Sequence, residues 1–182
     1  KKEIETRYKK LPNKKYQQLK NSIVAKTQFL ECLERKLLSS KDTNQFTETK
    51  SSIDKNTWKS LVINGNPELE LALESRLQQL LNAKTPEALL GLTHEAEHQI
   101  RSLCIELEIR ANIETPKEEQ AARMKIQLDQ LENTFGKSKP DHKENVGYAM
   151  DAELRSFCIG PLKDIARKQF SRRLAKAINK LL

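Results

Sequence analysis

The sequence predicts an all-α protein, an elongated and coiled-coil-like array of helical hairpins with about seven helices. Three observations carry this reading. Apolar residues recur at steps of three and four along most of the 182 residues. Aromatics make up only 5%, and 5 Gly with 6 Pro are too few for the many turns of a sandwich or barrel. Finally, Pro67-Glu68, Pro86-Glu87 and Pro116-Lys117-Glu118 each place a proline in a first helical turn with an acid behind it, where the missing N–H costs nothing and the helix dipole favours negative charge.

The elements follow in order. Leu11-Pro12-Asn13 is a start signal, and Leu19, Ile23, Val24, Leu30, Leu33, Leu37 and Leu38 then predict a first helix over about 14–39. Residues 39–50 are rich in Ser, Thr, Lys and Asn and read as a mobile polar loop. A short helix over about 53–63 carries Trp58, the single tryptophan. Asn64-Gly65-Asn66-Pro67 is a turn, and the helix it opens runs to about Leu81. Thr85-Pro86-Glu87 starts the longest helix, to about Ala111, with a stripe at Leu89, Leu92, Ala96, Ile100, Leu103 and Leu107. Between Leu103 and Ile109 apolar residues surround the axis, which predicts the most buried element. The next helix runs from Pro116 to Gly136 on Met124, Ile126, Leu128, Leu131 and Phe135. Residues 137–147 read as a basic polar loop. Helices over about 148–157 and 161–182 close the chain, with Gly160-Pro161 as their hinge. The grouping is a basic N-terminal helix and polar loop over 1–50, a first helical repeat with the long central helix over 51–136, and a basic loop with a C-terminal helical hairpin over 137–182.

Charge is unevenly distributed. Against a net charge of +8, residues 1–41 carry +8, 42–81 carry −2, 82–136 carry −4 and 137–182 carry +6. Two basic ends therefore flank an acidic middle, an asymmetry that bears on partners rather than on fold. No run approaches the about 18 consecutive apolar residues of a membrane span, and no apolar leader opens the chain. The expectation is a soluble, cytoplasmic protein with no membrane partner. Cys32, Cys104 and Cys158 lack Cys-x-x-Cys spacing and sit in helical contexts, as suits a reducing compartment. Lys1 opens the chain in mid-pattern, as expected of a fragment of a longer protein.

Two segments look alike. Trp58, Glu70 and Arg76-Leu77 with Leu80 three residues on parallel Phe157, Gly160-Pro161-Leu162 and Arg173-Leu174 with Ala177 three residues on. Each reads as an aromatic-bearing short helix, a turn and a longer amphipathic helix. Ile159-Gly160-Pro161-Leu162 and Arg173-Leu174-Ala175-Lys176-Ala177 resemble the bacterial helical repeat family of unknown function catalogued as DUF 349. Its repeat has a Trp-bearing helix, an Ile-Gly-Pro-Val-type turn and a helix with Trp, Arg-Phe and Ala. Departures are Phe157 at the first Trp position, Ser171 at the second and Leu174 at the Phe. Residues 103–109 and Ala122-Arg123-Met124 also look like the gammaproteobacterial members, so the resemblance covers roughly residues 58–182. It implies a helical repeat and assigns no reaction. Some members are labelled DNA-repair ATPases, yet this chain has no Gly-x-x-x-x-Gly-Lys-Ser/Thr loop to cradle phosphates.

Three constellations are candidates for chemistry. His94-Glu95-Ala96-Glu97-His98 matches the zinc-peptidase spacing of two His at i and i+4 with a Glu base, with Glu118 and Glu119 downstream where a third ligand is to be sought. At 100° per residue, however, His94 and His98 point away from Leu92, Ala96 and Ile100, onto the outer face. His142 reads as a surface residue. On the final helix Leu162, Ile165, Ala166, Phe170, Leu174, Ala177, Ile178 and Leu181 form an apolar stripe. Lys168, Arg172, Lys176 and Lys180 step by four along another face, with Arg167 and Arg173 beside them. Steps of about 6 Å are comparable with phosphate spacing along a nucleic-acid strand. A second basic patch is Lys9, Lys10, Lys14 and Lys15, interleaved with Tyr8 and Tyr16. Cys104 stands in an apolar helix turn that disfavours a thiolate, so it reads as core. Glu106 and Glu108, two apart on a helix, point in different directions and make no acid/base dyad.

The resulting reading is a non-enzymatic interaction module of an intracellular bacterial protein, without cofactor. It binds an acidic partner (RNA, DNA or a ribonucleoprotein) through its basic end patches. The alternative is a protein–protein scaffold without nucleic-acid binding, and the third is a zinc hydrolase through His94, Glu95 and His98. The basic ends either face outward or pair with the acidic middle.

Overall fold

The computed structural model describes residues 13–63, 65–134 and 142–182. Among these the regular structure is entirely helical. The helices are α1 (Asn13–Leu38), α2 (Thr43–Ser51), α3 (Lys55–Ser60), α4 (Pro67–Asn82), α5 (Pro86–Arg110), α6 (Gln120–Thr134), α7 (His142–Ser156) and α8 (Asp164–Leu181), with a 3-10 turn at Lys117–Glu119. No helix of the described residues is long and apolar enough to cross a membrane. The chain forms two compact units, Lys1–Pro86 and Glu87–Leu182.

The extra helix relative to the sequence reading is α2, in the stretch expected to be a loop. Asp42 is its N-cap, accepting a hydrogen bond from the Gln45 N–H at 2.8 Å, and Phe46 is its one buried residue. One apolar side chain is too weak a period to see in sequence, yet it anchors the helix. The other starts follow their caps. Asp54 accepts from the Asn56 and Thr57 N–H groups, and Asn66 accepts from Leu69 with Pro67 at the first helical position. The Thr57 hydroxyl, and then its N–H, hold the Asp54 carboxyl below its ordinary range. Gly65 occupies the left-handed region at φ 93°, which the turn before α4 requires. Helix α7 begins at His142, inside the stretch expected to be a basic loop, because Val146, Ala149 and Ala152 give it a buried face.

In the first unit α1 packs on α2 and α4. Ile23, Leu30, Leu33 and Leu37 of α1 and Leu69, Leu73, Leu77 and Leu80 of α4 are buried, with Phe46 and Trp58 between helices. The Trp58 indole N–H donates to Glu74 of α4 at 2.8 Å, and Lys26 lies over its ring at 4.3 Å while pairing with Glu70. Lys50 donates to the carbonyls of Leu81 and Ala83, closing the C-terminal end of α4.

Both apolar stripes contain a charge. Glu34 sits between Leu30 and Leu37, and Arg76 between Leu73 and Leu80. Both are buried, and the guanidinium meets the carboxylate with two bonds, Nε to Oε1 at 2.7 Å and Nη2 to Oε2 at 2.8 Å.

In the second unit the core is built by α5, α7 and α8. Ala96, Ile100, Leu103, Cys104 and Leu107 meet Ala149, Ala152, Phe170, Leu174 and Ala177. Helix α5 ends in a Schellman arrangement, with Asn112 at φ 50°, its N–H on Ile109 O at 3.1 Å and the Ile113 N–H on Glu108 O at 2.8 Å. As the apolar collar predicts, the Leu103–Glu108 stretch of α5 is mostly buried.

Removing one partner of the Glu34–Arg76 pair leaves the other charged in an apolar setting, which costs about 3–5 kcal/mol. Arg76→Ala should lower the stability of the first unit by about that amount, whereas Glu34→Leu with Arg76→Met should recover most of it. Urea unfolding followed by the fluorescence of Trp58 reads this unit alone, since no other tryptophan is present.

Candidate nucleic-acid interface

Helix α8 presents two faces. Phe170, Leu174, Ala177, Ile178 and Leu181 are buried, while Lys168, Arg172 and Lys176 are exposed at four-residue steps on the other side. Among the described residues no carboxylate pairs with these three cations. Ile165, expected in the apolar stripe, is instead 84% exposed, one turn before Lys168.

The remaining bases expected in this patch differ from one another. Lys180 is exposed but donates to the Asn112 carbonyl at 2.9 Å, bracing the C-terminal end of α5. Arg167 is half-buried and donates to the Leu162 carbonyl at 3.2 Å. Arg173 corrects the expectation outright, because its side chain is only 12% exposed and faces inward. Its Nε and Nη2 donate to Glu108 at 2.8 and 3.0 Å, and its Nη1 and Nη2 to Glu119 at 3.1 and 2.7 Å. Burial opposes its charge, but the hydrogen bonds to Glu108 and Glu119 outweigh that and raise its pKa further.

Glu108 and Glu119 anchor a network. Thr115 donates its hydroxyl to Glu108 at 2.8 Å, and Arg123 of α6 donates to Thr115 Oγ1 at 2.8 Å and to the Ile113 carbonyl at 2.7 Å. Arg101 of α5 reaches Glu119 at 3.0 Å. Both acids belong to the segment of negative charge, so one base of the C-terminal end pairs with the acidic middle and the Lys168/Arg172/Lys176 ridge does not. Arg173 and Arg76, aligned in the sequence repeat, therefore do the same job in their respective units: each answers a buried Glu that follows a Leu on the unit's long helix. The sequence reading missed both acids. The signal was present, since Glu34 and Glu108 fall on apolar stripes.

The N-terminal patch is partly described. Lys14 and Lys15 are exposed in the first turn of α1 and Tyr16 is half-buried, whereas Tyr8, Lys9 and Lys10 lie outside the described residues.

His94 and His98 are exposed on α5, as their phase predicts. Glu119, where a third ligand was sought, is committed to Arg101 and Arg173. Among the described residues no group of three or more His, Cys, Asp or Glu is placed to hold a metal ion. Glu106 accepts from the Tyr148 hydroxyl while Glu108 accepts from Arg173, so the two carboxylates diverge. Burial, then the bond to Glu106, pushes the Tyr148 phenol up to about 12.

Cys104 is fully buried against the Phe170 carbonyl, and burial pushes its thiol up to about 12, with Arg173 pulling the other way. At pH 8 it then holds roughly a thousandfold less thiolate than a free cysteine. Iodoacetamide should label exposed Cys32 in the native protein and leave Cys104 unmodified until the second unit unfolds, as read by peptide mass spectrometry.

No protein-family profile matches the chain, and no curated protein or solved structure is significantly similar to it.

Proposed function

We propose that this chain is a non-enzymatic helical interaction module of a bacterial cytoplasmic protein, and that it binds the phosphate backbone of RNA or DNA through Lys168, Arg172 and Lys176. The observation that carries the reading is their solvent-facing position, without an ion-pair partner among the described residues, beside an arginine that is fully engaged. A cation already paired to a carboxylate must break that pair to meet a phosphate. These three exchange only water and counterions, so release of condensed counterions drives association and sequence is read weakly. Lys14 and Lys15 offer a second, smaller basic contact. The bacterial setting rests on the resemblance of residues 159–162 and 173–177 to the helical repeat family.

Three phosphate contacts imply that affinity falls between 50 and 300 mM salt by about 40-fold on a single strand and about 100-fold on duplex. Fluorescence anisotropy with labelled RNA and DNA oligonucleotides measures both. Lys168→Glu, Arg172→Glu and Lys176→Glu together should weaken binding at least about 30-fold and flatten the salt dependence, with the helical circular dichroism unchanged. Binding that ignores salt, or that survives the triple substitution, defeats the reading.

The protein-scaffold alternative is favoured by one observation, the apolar residues that α6 turns to solvent.

A further inference from the structure

Helix α6 is amphipathic in the wrong direction for a core helix. Arg123, Ile126 and Gln130 face its own unit and are half-buried, and Glu119 just before it is tied to Arg101 and Arg173. About a third of a turn around the axis, Met124, Leu128 and Leu131 stand 64%, 55% and 64% exposed. In the sequence these residues, with Ile126, give the helix its apolar period. Their spacing of four and three, with Ala121 before them, is that of alternating a and d positions in a heptad: Ala121 a, Met124 d, Leu128 a, Leu131 d. In the sequence Phe135 continues the pattern at the next a position, outside the described residues.

The charges beside the stripe say what covers it. Lys125 and Glu132 both occupy e positions, on the same edge of the seam. Both are exposed, and among the described residues neither is in an ion pair. In a parallel pair of such helices, e positions face g positions of the partner, which here are the neutral Gln120 and Gln127. In an antiparallel pair, e faces e. With Leu128 of one helix layered on the partner's Leu131 and the reverse, Lys125 falls opposite the partner's Glu132, and Glu132 opposite the partner's Lys125. The sequence is therefore complementary to itself in one orientation, as an isologous two-fold contact requires.

We propose that α6 is a homodimerisation surface, on which a second copy of this chain docks its own α6 antiparallel through Met124, Leu128 and Leu131, with two Lys125–Glu132 pairs fixing the direction. The seam is about two heptads long and lies below the usual size of a permanent interface, so the dimer forms at micromolar rather than nanomolar concentration. It is independent of the polyanion ridge on α8.

Sedimentation velocity on the full chain from about 5 to 500 µM should show the mass rising from 21.0 kDa toward twice that value. Lys125→Glu and Glu132→Lys each place two like-charge pairs in the dimer and should each weaken association roughly tenfold. The double exchange rebuilds both pairs and should restore the wild-type dissociation constant within about threefold. Leu128→Lys should hold the protein monomeric with its helical content intact. A wild-type chain that stays monomeric throughout overturns the proposal. So does a dimer indifferent to Leu128→Lys, or a double variant weaker than either single one. Salt-dependent oligonucleotide binding by the monomeric Leu128→Lys variant keeps the test of α6 separate from that of α8.

Discussion

In each unit the packing turns on one guanidinium–carboxylate pair sunk into an apolar helix contact. Arg76 meets Glu34 in the first unit, and Arg173 meets Glu108 and Glu119 in the second. The desolvation of such charges is expensive, and leucines in their place would hold the helices as tightly. What the pair adds is register. If α4 slid by one turn along α1, Arg76 would face Leu30 or Leu37 and Glu34 would face leucine as well, leaving two buried charges unanswered. The two bonds from Nε and Nη2 also fix rotation about the helix axis, which apolar contacts leave loose.

The second pair has wider reach because its acids come from different elements. Glu108 lies near the end of α5 and Glu119 in the 3-10 turn before α6, so Arg173 of α8 joins three pieces of chain at one point. Thr115 and Arg123 extend the junction to the loop between them. The direction of α8's surface follows. With Arg173 at the border of the buried stripe and turned inward, the 100° step of the helix carries Lys168, Arg172 and Lys176 to the side away from that stripe, and among the described residues no acid pairs with them. The acidic middle of the sequence is thus answered from within by Arg101 and Arg173, and the excess positive charge of the C-terminal end stands on the outside.

Much of the fold was readable from the residues. Pro67 and Pro86 are the first residues of α4 and α5, Pro116 directly precedes the 3-10 turn that leads into α6 at Gln120, and the stripe of α5 is the one that is buried. Helix α2 was missed because a capping Asp42 and a single Phe46 make it, and neither generates a period. The paired charges were missed because Glu34 and Arg76 look like ordinary surface residues in isolation. Their position on a leucine stripe, with opposite signs on two helices, is the sign of a buried pair. Of the basic ridge, spacing showed which residues share a face but not which are already engaged. That depends on acids that lie 65 and 54 residues away in the chain.

Periodicity also has no sign, and α6 shows the consequence. A stripe at Met124, Leu128 and Leu131 says that the helix has an apolar face, not that this face points inward. Polar tethers decide the matter: the hydrogen bonds of Arg123 to Thr115 and Ile113 and of Arg173 to Glu119, with Arg101 in ionic contact with Glu119, hold the neighbouring face, about a third of a turn away, against the unit. Their geometry leaves the apolar stripe in solvent, where alone it is a liability for a monomer. The second unit therefore carries two outward faces with different physics. The polyanion contacts proposed for the α8 ridge would gain from counterion release and fade with salt. The self-association proposed for the α6 stripe would gain from apolar burial, which salt scarcely weakens, and only the flanking Lys125 and Glu132 would respond to screening. On these two proposals, ionic strength would tune one face while leaving the other nearly unchanged.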